Sequence, residues 1–295
     1  RDTLEKVLRL ADILEYFNKN PILKESLALK GGTAINLTIF NLPRLSVDID
    51  LDYLKTNSRD EMLKNREKIN TVIDRFMVSQ GYKKSPKSKT PYSLDSWVYK
   101  YTNAGGNPDN IKLEINYSLR SHIFYAEERP IITECFSSDY QIKSLSPIEI
   151  YASKINALLN RAAARDLYDI SNMIKFGLFD ERDEKILKKG VIFYAAISSK
   201  KINKKFDTKV IDSITKHKIR TDLLPVIRKN NDFDLNSAKR TVKEYINDLM
   251  SLCENEIEFL ERFENNEYAP ELLFDDKDIL ARIKTHPMAL WKTKY

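Results

Sequence analysis

The first twenty residues alternate apolar and polar positions with the period of an amphipathic helix. The apolar positions that would share one face are Leu4, Val7, Leu8, Leu10, Ala11 and Leu14. This spacing predicts a lead-in helix over 1–20. A short apolar run, 27–29, then ends in Lys30, Gly31, Gly32 and Thr33. That order predicts a strand, a glycine turn and a helix over 34–40 that Thr33 caps.

A strict alternation of period two follows in the run RLSVDIDLDY. The apolar members are Leu45, Val47, Ile49 and Leu51, and the polar members are Ser46, Asp48, Asp50 and Asp52. The alternation predicts a half-buried strand with an acidic face. Ile49 is expected to point into the core and to hold the register.

The middle of the chain predicts one helix and three more strands. The helix is expected over 59–80, and a lysine-rich loop, KKSPKSKTP, follows it. Two strand-like runs, 94–101 and 111–117, are separated by NAGGNPDN, which is a strong turn signal and makes the two runs a hairpin. A last strand is expected over 141–145.

From residue 146 onward the periodicity is helical. Ser146-Pro147-Ile148-Glu149 combines a cap, a first-turn proline and a glutamate, which together predict a helix start. Helical periodicity covers 147–177, 183–198, 208–230, 236–264 and 275–283. The sequence therefore predicts an α/β domain with a mixed sheet over 1–145 and an all-α domain over 146–295.

Composition narrows the class of protein. Hydrophobic residues make up 42% of the 295 and charged residues 31%, which indicates a globular, helix-rich chain. Cys135 and Cys253 stand far apart without metal-ligand spacing, and no apolar run reaches the length of a membrane span. These features favour a cytoplasmic protein without a membrane partner. The net charge of +6 slightly favours a polyanionic partner.

The acidic strand carries the candidate chemistry. Side chains two apart on a strand project from one face about 6.5–7 Å apart, so Asp48 and Asp50 can approach one divalent cation. Glu114 alternates with apolar neighbours in KLEINY and is the candidate third carboxylate. Gly31 and Gly32 would let the backbone approach a phosphate. Taken singly, the D-x-D is more often a solvated edge and the Gly-Gly only a turn.

The order of these features resembles a known family. LKGGTAINL followed by RLSVDIDLDY is similar to the opening motif of the AbiEii/AbiGii nucleotidyltransferase toxins, in the DNA polymerase β-like superfamily. The resemblance implies a polymerase β-like fold and a catalytic D-x-D at Asp48 and Asp50. With Glu114, which the strand pattern supplies, these residues form the predicted catalytic and metal-binding set. The resemblance also implies nucleotide contacts from Gly31, Gly32, Thr33 and Ser46.

A second patch, SPIEIYASKINALLNRAAARDLYDI, has two interpretations. Arg165 and Asp169 fall four apart on a helix, so a surface ion pair is one of them. In the family, a lysine-bearing helix and an R-D-x-x-D segment form the other wall of the active-site cleft. The resemblance implies that Lys154 and Arg165 bind nucleotide and that Asp166 orients or activates the acceptor.

Together these features predict a nucleotidyltransferase that uses an NTP and Mg²⁺ or Mn²⁺. By resemblance the acceptor is a tRNA 3′ end, and the protein is the toxin of a toxin–antitoxin or phage-defence system with a separately encoded antitoxin. Two alternatives stay open at this point: transfer to a small molecule such as an antibiotic, and a non-catalytic nucleic-acid or partner-binding module. The basic runs SSKKINKKFDTKV and KHKIR could track RNA or be solvated surface.

Overall fold

The N-terminal part of the chain folds around a mixed sheet. The computed structural model describes residues 2–132, 139–198, 205–228 and 233–294, and within them the sheet has seven strands. The strands are β1 (Leu27–Leu29), β2 (Asp48–Tyr53), β3 (Lys83–Lys84), β4 (Leu94–Thr102), β5 (Pro108–Asn116), β6 (Glu127–Pro130) and β7 (Gln141–Ser144). Their order is β3-β4-β5-β2-β1-β7-β6, and the β2–β5 and β1–β7 pairs are parallel. The mixed sheet confirms the predicted fold class.

Five described helical segments accompany this sheet in the N-terminal part of the chain. They are α1 (Asp2–Lys19), α2 (Pro21–Ser26), α3 (Gly31–Ala34), a π-helical turn (Ile35–Ile39) and α4 (Arg59–Ser79). Arg66 of α4 binds the buried Asp95 of β4 at 2.6 Å, and the neighbouring Trp97 and Tyr99 are buried. Since strand side chains alternate, the even-numbered residues of β2, β4 and β5 lie on the opposite face. We call that opposite side the polar face.

The rest of the chain is helical. Its helices are α5 (Pro147–Arg161), α6 (Ala164–Lys175), α7 (Glu181–Ser198), α8 (Lys216–Lys218), α9 (Leu235–Leu249), α10 (Glu254–Glu264), α11 (Lys277–Ile283) and α12 (Pro287–Lys292). The contacts divide the chain into two compact units, the first of Arg1–Ser121 and Tyr125–Leu145, and the second of His122–Phe124 and Ser146–Tyr295.

A buried glutamate holds the detached segment 122–124 within the second unit. Glu149, in the first turn of α5, accepts hydrogen bonds from the backbone N–H groups of Ile123 and Phe124, both at 3.0 Å, and from the Tyr194 hydroxyl. Arg282 of α11 donates to the Ile123 carbonyl at 2.7 Å. Side chains of α5 and α11 therefore bind two backbone N–H groups and one carbonyl of the segment.

Most predicted elements are present, but several boundaries are wrong. The hairpin of β4 and β5, the helix over 59–79 and the last strand are confirmed. The predicted helix over 147–177 is two helices, because Ala162 adopts the left-handed conformation with φ of +46° and ends α5. The predicted helix over 236–264 is also two, and 208–226 forms short 3₁₀, α and π segments.

Among the described residues, no helix is both long and apolar enough to cross a membrane. Cys135 and most of the lysines of the run SSKKINKKFDTKV lie outside the described residues, while Cys253 is an exposed free thiol.

Replacing the carboxylate that holds segment 122–124 is expected to destabilise the second unit. Glu149→Ala leaves two backbone N–H groups and the Tyr194 hydroxyl without their acceptor, so we expect the free energy of unfolding to fall by about 2–4 kcal/mol. Urea denaturation followed by circular dichroism measures the change. The control is Glu261→Ala, at an exposed position of α10, for which we expect a change of no more than about 0.5 kcal/mol.

Candidate functional site

Two aspartates lie on the polar face at the beginning of β2. Asp48 and Asp50 flank Ile49, whose side chain is fully buried, and Leu51 beyond them is buried as well. Burial of these two apolar residues fixes the strand register, so both carboxylates project from the polar face. Both aspartates are half-buried.

The parallel pairing of β2 with β5 brings a third carboxylate to the same place. Asp50 lies opposite Glu114, and Asp48 lies opposite Lys112. Directly opposite residues share a face of the sheet. The structure therefore places Glu114 beside the two aspartates, on the polar face.

Glu114 has two hydrogen-bond partners. The Ser96 hydroxyl donates to it at 2.7 Å, and the Lys112 ammonium lies 2.9 Å from the same oxygen. Burial disfavours the charged carboxylate, but these two hydrogen bonds and the charge on Lys30 keep the pKa of Glu114 below its usual value. Glu114 is therefore a charged carboxylate with a cation already beside it.

Asp50 is in the opposite electrostatic situation. Burial raises its pKa, the charge on Lys30 partly offsets this, and the nearby charges of Asp48 and Glu114 raise it further. Lys30 itself forms an ion pair with Asp52. Because crowded carboxylates repel one another, this end of β2 has an excess of negative charge that a cation would relieve.

The carboxylate oxygens of Asp48 and Asp50 suit a hard divalent cation, but they do not form a complete ligand set. Asp48 and Asp50 offer the carboxylate oxygens that Mg²⁺ or Mn²⁺ prefers. Among the described residues, no three His, Cys, Asp or Glu side chains are grouped closely enough to hold a metal ion by themselves. Glu114 as a third ligand stays a prediction.

The glycine turn packs directly on the acidic strand. Gly31 has φ of +68°, and a Cβ atom there would lie 2.9 Å from the Asp50 carboxylate oxygen Oδ2. A Cβ on Gly32 would collide with the Arg44 guanidinium and lie 3.0 Å from the Ser46 hydroxyl. Gly31 is therefore required by its left-handed backbone and its approach to Asp50, and Gly32 leaves space for the Arg44 guanidinium.

Thr33 does not cap the helix, contrary to the sequence prediction. Helix α3 begins at Gly31 with Lys30 at its N-cap position, so Thr33 lies inside it. Its buried hydroxyl hydrogen-bonds the Ser46 hydroxyl at 3.0 Å and donates to the Asp48 carbonyl. Thr33 and Ser46 thereby fasten the glycine turn to the chain entering β2. Their contact with a nucleotide stays a prediction.

Three cationic residues of this region were not predicted from the sequence. Lys30 and Lys112 lie beside the carboxylates, and Arg44 is buried against the glycine turn. Lys30 could have been noticed, because it follows β1 immediately and precedes the glycines. Lys112 could not, since its neighbours depend on which strands pair.

The second unit contains a buried ion cluster. The Lys154 ammonium lies 3.1 Å from Asp166 and 2.8 Å from Asp169, and Arg161 binds the other oxygen of Asp166 at 2.8 Å. Lys154, Asp166 and Asp169 are at most 8% exposed. The break at Ala162 turns α6 back so that its first residues reach α5.

The surface ion pair of Arg165 with Asp169, one of the two interpretations of the sequence, is not formed. Asp169 binds Lys154, and Arg165 donates to the Asp222 carbonyl at 2.8 Å. Since both oxygens of Asp166 accept from cations, that carboxylate is better suited to holding Lys154 than to removing a proton. The roles of Lys154, Asp166 and Arg165 in catalysis stay predictions.

Comparisons with known proteins give matches that cover most of the chain. The sequence profile described as "Nucleotidyl transferase AbiEii toxin, Type IV TA system" matches residues 12–250. The structure of MenT4, a nucleotidyltransferase toxin from Mycobacterium tuberculosis H37Rv, matches with a TM-score of 0.62 at 16% identity, covering 98% of this chain and 93% of its own. That identity supports a shared fold. Comparison with curated proteins returned no match.

Adding one methyl group at the glycine turn is expected to disable the site. Gly31→Ala strains a left-handed residue and pushes on Asp50, so we expect nucleotidyltransferase activity to fall on the order of 100-fold and stability by about 1–2 kcal/mol. Gly81→Ala is the matched control, since Gly81 also has positive φ but nothing within 4 Å of the added carbon. Gly81→Ala should lose stability but keep its activity. Equal activity in both variants would contradict the close approach.

Proposed function

We propose that this chain, which belongs to the AbiEii nucleotidyl transferase toxins of type IV toxin–antitoxin systems, transfers a nucleoside monophosphate from an NTP to the 3′ hydroxyl of a tRNA. The observation that carries the proposal is the pairing of Asp50 with Glu114 beside the Gly31 turn. It gathers negative charge next to backbone amides. That combination suits a nucleoside triphosphate accompanied by a cation.

The acidic residues serve the transfer step. Asp48 and Asp50, with Glu114 opposite, would hold Mg²⁺ or Mn²⁺, which when bound neutralises the triphosphate and stabilises charge on the attacking and leaving oxygens. The acceptor oxygen forms a bond to the α-phosphorus. The bond from the α-phosphorus to the oxygen that bridges the α- and β-phosphates breaks, and pyrophosphate leaves. The hydroxyl proton passes to solvent or to a nearby carboxylate. Asp48 is the less constrained of the two aspartates, because Asp50 lies against Gly31.

The glycine turn and its neighbours hold the triphosphate. The first backbone N–H groups of α3, from Gly31 onward, have no acceptor inside the helix and are available to phosphate oxygens. Lys112 lies between Glu114 and Asp48, where its ammonium can move from the carboxylate to a phosphate. Burial would lower the pKa of Lys112, but the three carboxylates around it raise the pKa above the usual value, so it stays charged.

Lys154 is proposed to bind phosphate oxygens as a fixed point charge. Asp166 and Asp169 restrict its ammonium, and Arg161 balances the charge of Asp166. We therefore assign Asp166 a positioning role. Arg165 is proposed to contact the nucleotide because it belongs to the R-D-x-x-D segment that resembles the family pattern.

Membership of this family also bears on partners. Its toxins belong to toxin–antitoxin systems, which implies a cognate antitoxin and an NTP substrate for this chain. MenT4, whose fold this chain shares, is likewise a nucleotidyltransferase toxin. The tRNA acceptor is supported further by the net positive charge of +6.

Removing one metal-binding carboxylate is expected to abolish transfer. Asp48→Asn should lower incorporation of labelled NTP into purified tRNA at least on the order of 1,000-fold, because the cation loses a charged ligand. Asp60→Asn, at an exposed position of α4, is the charge-matched control and should retain activity. Each of the four NTPs is assayed with tRNA and, separately, with aminoglycosides. Label transferred to the antibiotics alone would contradict the tRNA acceptor.

Neutralising Lys154 is expected to weaken NTP binding. Lys154→Gln should raise KM for the NTP on the order of tenfold. Stability should fall by about 3 kcal/mol, because the buried Asp169 loses the Lys154 ammonium and Asp166 keeps only Arg161. The double variant Lys154→Gln, Asp169→Asn should recover much of that stability and still show the raised KM. Recovery of KM together with stability would show that Lys154 is purely structural.

A further inference from the structure

A continuous row of residues crosses the polar face from the acids to the outer edge of the sheet. Asp50 lies opposite Glu114, Glu114 opposite Ser96, and Ser96 opposite Lys89. Opposite residues share a face, and adjacent strands are about 4.8 Å apart. Lys89 is therefore about 14 Å from Asp50 along the sheet, on the same face.

The outer edge of this face is rich in exposed lysines. Lys83 of β3 lies directly opposite Lys100 of β4, and both are exposed, as is Lys89. Lys100 follows Ser96 and Val98 by the strand alternation, so it belongs to the polar face. Lys112 continues the positive charge inward to Glu114.

The opposed lysines are energetically unfavourable by themselves. Like charges directly opposite on neighbouring strands repel and destabilise the pair. No structural requirement forces lysine at either position, since both side chains point to solvent. A bound anion between them would remove the repulsion.

The loop that follows β3 holds this edge in a fixed shape. Backbone hydrogen bonds join Ser85 to Val98 at 2.7 Å and Lys89 to Ser96 at 2.7 and 2.8 Å, and the Ser88 hydroxyl accepts from the Val98 N–H at 3.1 Å. The lysines therefore project from a fixed backbone. This distinguishes them from a flexible basic tail.

We propose that Lys83, Lys89 and Lys100 form a phosphodiester-binding surface that guides the RNA acceptor across the polar face toward Asp48 and Asp50. The inference deepens the proposed function and rests on it. A phosphodiester chain has regularly spaced negative charges that match a row of point charges, and lysine ammonium groups bind phosphates without reading bases. The surface therefore contributes affinity that does not depend on sequence.

An acidic protein is the other polyanion that could bind here. The acids at the inner end of the row favour RNA, because a chain whose 3′ hydroxyl must reach Asp48 and Asp50 has to cross this face or an adjoining one. A protein ligand has no such requirement. The edge lysines could also serve only to prevent strand pairing between molecules.

Binding of fluorescein-labelled single-stranded RNA, tRNA and polyglutamate, measured by fluorescence anisotropy without NTP, tests the surface. The variant Lys83→Ala, Lys100→Ala should weaken binding of both RNAs on the order of tenfold and reduce the slope of log K against log salt by about 0.7 per lysine. The control, Lys64→Ala, Lys68→Ala, removes the same charge from exposed positions of α4, on the covered side of the sheet, and should bind RNA like wild type.

The free energy of unfolding and the aggregation state of the variant provide a second readout. Because the variant relieves repulsion between two lysines, its free energy of unfolding should be equal to or higher than that of wild type, so a folding defect cannot explain weaker binding. RNA affinity equal to the control would overturn the proposal, and so would a loss confined to polyglutamate. Aggregation of the variant with RNA affinity retained would show an edge-protecting role and would also overturn it.

Transfer assays separate this inference from the proposed function. If wild type labels tRNA and the Lys83, Lys100 variant raises KM for tRNA but not for the NTP, both are supported. If wild type binds RNA through these lysines but transfers label only to another acceptor, the binding surface stands and the tRNA acceptor is contradicted.

Discussion

The pairing of β2 with β5 is the constraint on which the site depends. A shift of one residue would turn Glu114 away from Asp50 and place an apolar side chain beside it. The buried Ile49 and Leu113 prevent that shift, because they would move to the polar face. The core therefore fixes the electrostatics of the site. Like charges are brought together by apolar burial, and Lys30 and Lys112 partly compensate them.

Much of the fold was predictable because local patterns and tertiary structure agree. Alternation identified β2, β4 and β5, and the Asn-Gly-rich turn identified their hairpin. The break at Ala162 was not predictable, since alanine is the best helix former and gives no sign of a left-handed conformation. Strands β3 and β6 were missed because they are short edge strands without alternation. The 208–226 segment has helical periodicity, but it folds as several short turns.

The residues of the candidate site were predictable where they lie close together in the sequence. Asp48, Asp50 and the glycines are neighbours in sequence, and Glu114 needed only the assumption that its strand is adjacent. The partners Lys112 and Ser96 depend on cross-strand register, which no local pattern encodes. Thr33 shows the limit of capping rules. A threonine before an apolar run matches the N-cap pattern, yet its hydroxyl binds Ser46 and the Asp48 carbonyl instead of capping the helix. The ion cluster of Lys154 required the unpredicted break at Ala162.

The path of the chain has a consequence for dissecting the protein. Segment 122–124 leaves the first unit, inserts among α5, α7 and α11, and returns, so the polypeptide crosses between the units three times. A fragment beginning at Ser146 would expose the carboxylate of Glu149 and the guanidinium of Arg282 with their backbone ligands removed. Truncation at residue 146 thus removes part of the second unit itself, and a circular permutant that keeps 122–124 is the better starting material for isolating the helical unit.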